Sequence, residues 1–384
     1  MRWTLYLAWR YLARNRIRTG VLLTCITITL SLPAAVHMLV RYYEQELLSR
    51  ARATPLVLGA PGNRYDLIMG ALYFRNVQLR EVDMRQVHSL QRSGLAAPLP
   101  LHARFTARGH PVVGTSLDYL EFRGLRLTEG RLPQILGEAV LGEAAALRLG
   151  LQPGDTLLTD QEDLYDLAAT YPLKLHIVGV LAGSHSADDH AVFVDTRTSW
   201  VIQGIGHGHR DLTTEGDPEQ RPLVQASDAL VQYMEITQAN LGSFHFHGDE
   251  GSFPVSAIIV LPRDQRASTL LKARYSLAED SQLLVPTEVI EELLGIVLQV
   301  RRFLDANFAL VAAATTLFVV LVVWLSLRLR QRERETMHHI GCSRWMVVKL
   351  QAGELLLVIL GSILLSIVLV ALAVLCAPLL IHLT

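Results

Sequence analysis

Three long uncharged stretches dominate the pattern of hydrophobic and polar positions along this chain. They predict helices at residues 19–40, 306–327 and 354–382. A helix that crosses a bilayer needs about 20 apolar residues, and each stretch reaches that length. The first stretch also exceeds the roughly 7–15 apolar residues of a secretory signal peptide. The pattern therefore predicts three transmembrane α-helices, and it favours a lasting anchor over a cleaved signal for the first.

The stretch between the first two spans has a different pattern. Runs rich in β-branched residues and bounded by Gly, Pro or Asp predict strands at residues 111–115, 139–141, 173–181, 191–194 and 255–261. Helical patterns cover residues 141–150, which end on a glycine, and residues 286–303, which start at a proline. Residues 204–222 are polar and carry the weakest signal for fixed structure. These signals together predict a large α+β domain.

The distribution of charge predicts how the chain is oriented. Residues 1–18 carry five Arg and no acidic residue, and a second basic cluster lies in residues 328–353. Lys and Arg concentrate in cytoplasmic segments next to membrane helices, so both segments are predicted to be cytoplasmic. The α+β domain, residues 41–305, is then extracytoplasmic, inserted between the first and second spans. Its length suits two subdomains, which we expect at residues 41–110 plus 250–300 and at residues 111–249.

Composition narrows the functional classes. The external block, residues 41–305, has 24 basic and 33 acidic residues, and the whole chain has only three Lys. A protein that binds nucleic acid needs a basic face to neutralise phosphates, so this class is not expected. None of the three Lys follows a Gly, so the phosphate-binding Gly-Lys-Ser/Thr motif is absent from this sequence. Any ATP used by this protein is therefore expected to bind a separate polypeptide.

A window of the external block is rich in histidine and suggests metal chemistry. Its candidate ligands for Zn or Cu are His185, His190, His207, His209, His245, His247 and Asp249. Two histidines in a His-x-His sequence on a strand point to the same face, which favours chelation. Solvated histidines in polar loops would produce the same pattern, and no metal signature with fixed spacing is present. The sequence leaves both interpretations open.

Several motifs resemble those of one family. Residues 7–19 (LAWRYLARNRIRT) look like a basic amphipathic N-terminal helix. Three stretches of the external block, residues 114–131, 138–150 and 175–181, contain in chain order the short motifs GR, LGE, A, LG and VGV. The most specific run is residues 332–356, RERETMHHIGCSRWMVVKLQAGELL. These motifs resemble the MacB/FtsX-type permeases of ABC transporters, which include the LolC/LolE-like permeases. Glu333, Gly341, Ser343 and Glu354 match the family run position by position.

The resemblance implies a function as well as a fold. Such permeases couple a separate cytoplasmic ABC ATPase to an extracytoplasmic domain in the bacterial inner membrane. The implied ATPase-coupling residues are Arg332, Glu333, Gly341, Ser343, Arg344 and Glu354. The other implied partners are membrane lipid, a second permease in a homodimer or a paired complex, and a periplasmic adaptor or lipoprotein. The family usually has a fourth span, so the resemblance leaves open a three-span branch or a truncated C-terminus.

Two function classes remain as alternatives to a permease without a catalytic site of its own. The first is a membrane-anchored metal-binding or sensing protein that uses the His-rich external face. The second, which the sequence favours least, is an external enzyme, since no catalytic motif such as Gly-x-Ser-x-Gly is present. The coupling segment also has a simpler interpretation, as a basic juxtamembrane segment that contacts lipid headgroups.

Overall fold

The computed structural model describes residues 2–75, 79–161, 172–208, 233–329, 339 and 344–381. The chain divides into two compact units. One, the membrane unit, comprises Met1–Glu46 and Leu294–Thr384, and the other, the outer domain, comprises Leu47–Leu293. The described helices are α1 Arg2–Arg14, α2 Arg16–Arg52, α3 Arg64–Tyr73, α4 Met84–Ser93, α5 Leu117–Phe122, α6 Glu143–Leu149, α7 Thr196–Ile202, α8 Gln265–Tyr275, α9 Pro286–Leu329 and α10 Arg344–Ile381.

Three of these helices are long and apolar enough to cross a membrane. The segments are Arg16–Arg52, Arg302–Leu325 and Val348–Leu375, each within one of α2, α9 and α10. They confirm the three predicted spans. The N-terminal segment differs in one detail, because it breaks at Asn15 into α1 and the start of α2 and does not run as one helix to residue 18.

Apolar packing and a few polar contacts join the helices of the membrane unit. Leu12, Leu22 and Val358 form a small buried cluster. The hydroxyls of Thr29 and Thr315 are 2.9 Å apart, and Ser362 Oγ donates to the carbonyl of Leu23 at 3.3 Å. Hydroxyl bonds of this kind hold helices together where water is absent. Among the side chains that the structure describes on α9 and α10, most large apolar ones are exposed, as lipid-facing or partner-facing residues would be.

Strands make up the framework of the outer domain. Their bounds are β1 Leu56–Gly59, β2 Val82–Asp83, β3 Ala96–Ala107, β4 His110–Thr115, β5 Leu127–Gly130, β6 Glu138–Leu141, β7 Thr156–Leu158, β8 Lys174–Leu181, β9 Val192–Asp195, β10 Gly206–Gly208, β11 Phe244–Phe246, β12 Pro254–Val255, β13 Ala257–Pro262 and β14 Gln282–Leu284. Among the described residues, ten strands form one sheet in the order β14-β1-β13-β3-β4-β9-β6-β8-β5, with β7 beside β8. Pairs β4–β9 and β6–β8 are parallel, and the other pairs of this sheet are antiparallel.

Two apolar clusters fill the outer domain. One gathers side chains from β3 to β9 with Val201, Ile202 and Ile236, and the other packs β1 and β13 against Trp200, Leu271 and Tyr275. The sheet is continuous across the predicted subdomain boundary at residues 110 and 111, because β3 pairs with β4. The division into two subdomains therefore stays a prediction, and the α+β class of the domain is confirmed.

The local predictions agree closely with the described elements. Each of the five predicted strands overlaps an observed one, although the run 255–261 is interrupted at Ser256, which separates β12 from β13. Helix α6 ends where predicted, at Gly150, whose φ of 65° is the left-handed conformation of a C-cap. The stretch predicted to lack structure begins differently, since residues 206–208 form β10. The rest of that stretch, from residue 209, lies outside the described residues.

The motif residue Gly130 has a conformation and a neighbourhood that only glycine suits. Its φ is +76°, and a Cβ atom there would overlap the carbonyl oxygen of Val178. Gly124 has a similar φ of +67° but no atom within 4 Å of such a Cβ. We expect Gly130→Ala to lower the free energy of unfolding by about 3 kcal/mol, and Gly124→Ala by about 1 kcal/mol. Hydrogen exchange of β5 and β8 in the detergent-solubilised chain measures both, and equal losses would contradict the steric explanation.

Candidate functional site

The predicted coupling segment is described only near its end. Residue 339 and residues from 344 onward are described, and α10 begins at Arg344. The predicted coupling residues that lie outside the described residues are Arg332, Glu333, Gly341 and Ser343. The side chain of Arg344 is likewise not described. The structure therefore leaves the coupling assignment as a prediction for all of these residues.

Glu354, the last predicted coupling residue, is described and lies in α10 within the membrane unit. Its side chain is only 9% exposed, and its carboxylate is 3.6 Å from the guanidinium of Arg18 in α2. A cavity of about 220 Å³ lies beside this pair and is otherwise lined mostly by apolar side chains, among them Leu22 and Val358. A charge in an apolar setting is costly unless it is paired, so this ion pair fixes α2 against α10.

A buried ion pair also holds the last turn of α2 in the outer domain. Arg50 forms a bidentate pair with Asp188, with N–O distances of 2.6 and 2.9 Å. Arg50 also donates to the hydroxyl of Tyr119 at 3.1 Å and, through Nε, to the carbonyl of Leu72. Its side chain is 8% exposed and that of Asp188 is 2% exposed. Every donor nitrogen of this guanidinium therefore has an acceptor, which is the condition for a buried charge to be tolerated.

The neighbours of Asp188 decide its ionisation. Burial alone would raise the pKa of Asp188, but the hydrogen bond and charge of Arg50, the hydrogen bond from Tyr119 and the charge of Arg123 together lower it below its ordinary value. Burial raises the pKa of Tyr119 to about 12. The Tyr119 hydroxyl therefore stays protonated and donates a hydrogen bond to Asp188 Oδ1, with an O–O distance of 2.7 Å. The cluster is thus an ionised, fully hydrogen-bonded structural site.

This pKa shift predicts a pH dependence of stability. The folded pKa of Asp188 is lower than the unfolded value of about 3.9, so its stabilising contribution is present above that pH and is lost as the pH falls through the folded pKa. We expect the difference in free energy of unfolding between the wild type and Asp188→Asn to be constant from about pH 7 to pH 5 and to shrink below about pH 4. Denaturant unfolding across this range measures it, and a difference that grows on acidification would contradict the assignment.

The GR motif of the outer domain has a structural explanation. Arg131 pairs with the buried carboxylate of Glu138, whose Oε2 also accepts from the backbone N–H of Gln134 at 2.7 Å. The hydrogen bond from Arg131 is the main cause that lowers the pKa of Glu138. These contacts close the loop between β5 and β6, and they use the charged groups of both Arg131 and Glu138 within the fold. The motif therefore stabilises the fold of this loop.

The structure brings together three of the predicted metal ligands. His207 in β10 lies opposite His245 in β11, and His247 follows that strand. Their candidate ligand atoms all lie within 4.8 Å of one another, and Nε2 of His207 and Nε2 of His247 are 3.3 Å apart. Among the described residues these histidines form the one group of three or more His, Cys, Asp or Glu side chains close enough to hold a metal ion.

The other predicted ligands lie elsewhere or are not described. His185 is an exposed residue with a φ of 51°. His190 ends a short 3₁₀ helix, and its carbonyl lies 2.9 Å from Nδ1 of His110. The carboxylate of Asp249 caps the 3₁₀ helix Glu250–Ser252 by accepting from the N–H of Gly251. His209 is not among the described residues.

The two ion pairs were not identified from the sequence. Arg18 appeared there only as part of a topology signal, and Arg50 and Asp188 were not singled out. Arg50 and Asp188 are 138 residues apart in sequence. The sequence nevertheless gave a partial signal that these two residues lie in the folded outer domain. Arg50 lies more than two helical turns beyond the apolar part of the first span, and Asp188 lies just before the predicted strand 191–194. Their pairing itself depends on tertiary structure.

Comparison with known proteins finds similarity to one family and to several solved structures, two of which follow. Residues 307–383 match the model of the FtsX-like permease C-terminal family. The periplasmic region of MacB from Actinobacillus actinomycetemcomitans has 12% identity and a TM-score of 0.36, covering 65% of this chain and 98% of that one. The extracellular domain of the noncanonic ABC-type transporter YknZ from Gram-positive bacteria has 12% identity and a TM-score of 0.33, covering 60% and 98%. No curated protein matches the chain.

Proposed function

We propose that this chain, whose residues 307–383 match the FtsX-like permease C-terminal family, is the permease subunit of an ATP-driven mechanotransmission or export complex of the MacB/FtsX type in the bacterial inner membrane. The match over residues 307–383 carries this proposal. It includes most of the apolar part of α9, the basic segment that follows and all of α10. The permease converts nucleotide-driven movement of a cytoplasmic partner into movement of its outer domain.

The partner that supplies energy is a separate ABC ATPase. The sequence contains no Gly-Lys-Ser/Thr motif, so this chain has no P-loop to hold nucleotide phosphates. The ATPase binds the cytoplasmic surface, of which residues 328–353 are the larger part. The basic character of that segment and its Gly341–Ser343 turn signal support this contact.

A second permease and lipid cover the apolar surface of the membrane unit. Large side chains stand exposed along the described part of α9 and α10, including Leu310, Leu317, Leu364, Ile367 and Leu372. In a bilayer such side chains contact lipid tails or a neighbouring span. We propose a homodimer or a paired permease, with a periplasmic adaptor or lipoprotein as the further partner of the outer domain.

Capture of the complex tests the proposal. The detergent-solubilised chain, purified with a small affinity tag from its native membrane, should bring down an ABC ATPase at a 1:1 molar ratio. ATP hydrolysis in the eluate should be sensitive to vanadate and should be lost when the ATPase is stripped off with high salt. Purification of the chain without any nucleotide-binding protein, under conditions that preserve a known permease complex, would contradict the proposal.

Cysteine labelling tests the predicted topology. In a background without Cys25, Cys342 and Cys376, we expect an impermeant thiol reagent to label Gln161→Cys in intact spheroplasts and Glu335→Cys only after lysis. Gln161 is exposed in the outer domain, whereas the neighbouring Asp160 is unsuitable because its carboxylate accepts three hydrogen bonds. Labelling of both positions from the same side would overturn the topology.

A further inference from the structure

A small two-stranded ribbon in the outer domain presents an unusual face. It consists of β10, β11 and His247, and we call it the histidine ribbon. β10 pairs with β11 in antiparallel register, with His207 opposite His245. The N–H of His247 lies 3.4 Å from the carbonyl of Ile205 and extends the ladder by one residue. Side chains alternate between the two faces of such a ribbon, so residues 207, 245 and 247 share one face.

The opposite face of the histidine ribbon is apolar and tightly packed. A Cβ atom at Gly206 would clash with the ring of Phe246, and one at Gly208 with the ring of Phe244. The ring of Phe246 also lies 6.3 Å from Trp200 and 6.0 Å from Phe253 between ring centroids. The phenylalanines therefore anchor the ribbon to the core of the outer domain. This anchoring holds the backbone beneath the three histidines in place.

The geometry of the three imidazoles fits a shared cation. Metal–nitrogen bonds of about 2.0–2.1 Å in a tetrahedral site separate the ligand nitrogens by about 3.3 Å. The Nε2 atoms of His207 and His247 are already 3.3 Å apart. The third ligand atom, from His245, lies within 4.8 Å of the others. Because the side chain of His245 is exposed, it has room to rotate toward the other two imidazoles.

The tautomer of His245 also suits a metal ligand. Its Nδ1 is 3.1 Å from the carbonyl oxygen of Ser243, which only accepts, so Nδ1 carries the proton and donates. In the neutral ring the lone pair then lies on Nε2. A second-sphere hydrogen bond of this kind orients many metal-bound histidines. Without a cation, the short contact between His207 and His247 is an ordinary N–H to N hydrogen bond.

We propose that His207, His245 and His247 form a binding site for one borderline divalent cation, Zn²⁺ or Cu²⁺. Three neutral imidazoles without a thiolate suit these ions and are poor ligands for Ca²⁺ or Mg²⁺, which prefer oxygen. The site is at the surface, since His245 and His247 are exposed, so water or a ligand from solution completes the coordination. This proposal is independent of the permease function, because it rests only on the geometry of the histidine ribbon.

The test uses the full chain in lipid nanodiscs, carrying an affinity tag without histidine. The protein is stripped with EDTA, equilibrated with Zn²⁺ or Cu²⁺ alone and analysed by inductively coupled plasma mass spectrometry. We expect about one ion per chain, and at least about a tenfold weaker affinity in each of His207→Gln, His245→Gln and His247→Gln. His185→Asn is the matched control, because His185 is exposed and outside the ribbon, and Asn tolerates its positive φ. This control should bind like the wild type.

Two further measurements keep the proposal falsifiable. Hydrogen exchange of the β10 and β11 peptides should slow on metal addition in the wild type and stay unchanged in the three variants. The same exchange without metal reports whether each variant keeps the ribbon folded. Wild-type protein that binds no more metal than a variant with all three histidines replaced by Gln would overturn the proposal. Equal binding by the wild type and all three single variants would overturn the assignment of these residues.

Discussion

Replacement of Arg50 by Ala is expected to lower the free energy of unfolding of the outer domain by about 3–5 kcal/mol. Removing one member of a buried pair leaves the other charge without compensation, and the cost is of this order. Here Asp188, whose side chain is 2% exposed in the intact pair, would lose both of its hydrogen bonds from Arg50. The loss is a large part of the roughly 5–15 kcal/mol that stabilises a typical domain. Denaturant unfolding of the wild type and the variant, monitored by hydrogen exchange of β9 and α6, measures this loss of stability.

An exposed ion pair provides the matched control for this prediction. Arg64 pairs with Glu292 at 2.5 Å, but both side chains are nearly half exposed. Surface pairs contribute about 0–1 kcal/mol, so Arg64→Ala should change stability little. The double variant Arg50→Met with Asp188→Asn should be more stable than Arg50→Ala, because it removes both charges of the pair together. Equal losses for Arg50→Ala and Arg64→Ala would mean that the buried pair has no special role.

Changes in the coupling segment are expected to abolish function without unfolding the protein. Gly341→Trp places a bulky side chain where a helix C-cap often requires the left-handed conformation, and Glu333→Arg reverses a charge in the family motif. We expect both variants to insert normally and to keep the hydrogen-exchange pattern of the outer domain. Capture of the ATPase should fall at least about tenfold, together with the activity of the complex in cells.

The control for the coupling prediction is a charge reversal outside the segment. Glu129→Arg changes an exposed residue of the outer domain and should leave capture of the ATPase unchanged. If Gly341→Trp and Glu333→Arg also retain full capture and activity, the segment serves as a topology signal and a lipid contact only.

The sequence predicted what depends on local patterns. The three spans follow from the lengths of apolar runs, and strands such as β8 and β9 follow from β-branched runs between turn residues. The end of α6 followed from Gly150. The order of strands in the sheet did not follow, because pairings such as β6 with β8 join segments that no local signal connects.

Sites formed by distant residues were predicted only in part. The histidine window contained the three histidines that the structure brings together, but the register of β10 against β11 decides that His207, His245 and His247 meet. His185 and Asp249 also carry side chains that can bind a metal, but they lie outside the two paired strands. The pairing of Arg50 with Asp188 was missed entirely, since a charged residue at the end of a span usually indicates only topology. Burial, which makes this pair important, is a property of the folded chain.

A photo-cross-link from the cytoplasmic segment tests the central claim most directly. A photoreactive amino acid is placed at Glu333 or at His339, the latter an exposed residue, and at Gln161 in the outer domain as control. Illumination of native membranes should link the first two positions to an ABC ATPase, with a yield that changes on addition of ATP and vanadate, and should give no such product from Gln161. Absence of an ATPase adduct from both cytoplasmic positions, in membranes where the chain is inserted and folded, would contradict the proposed coupling.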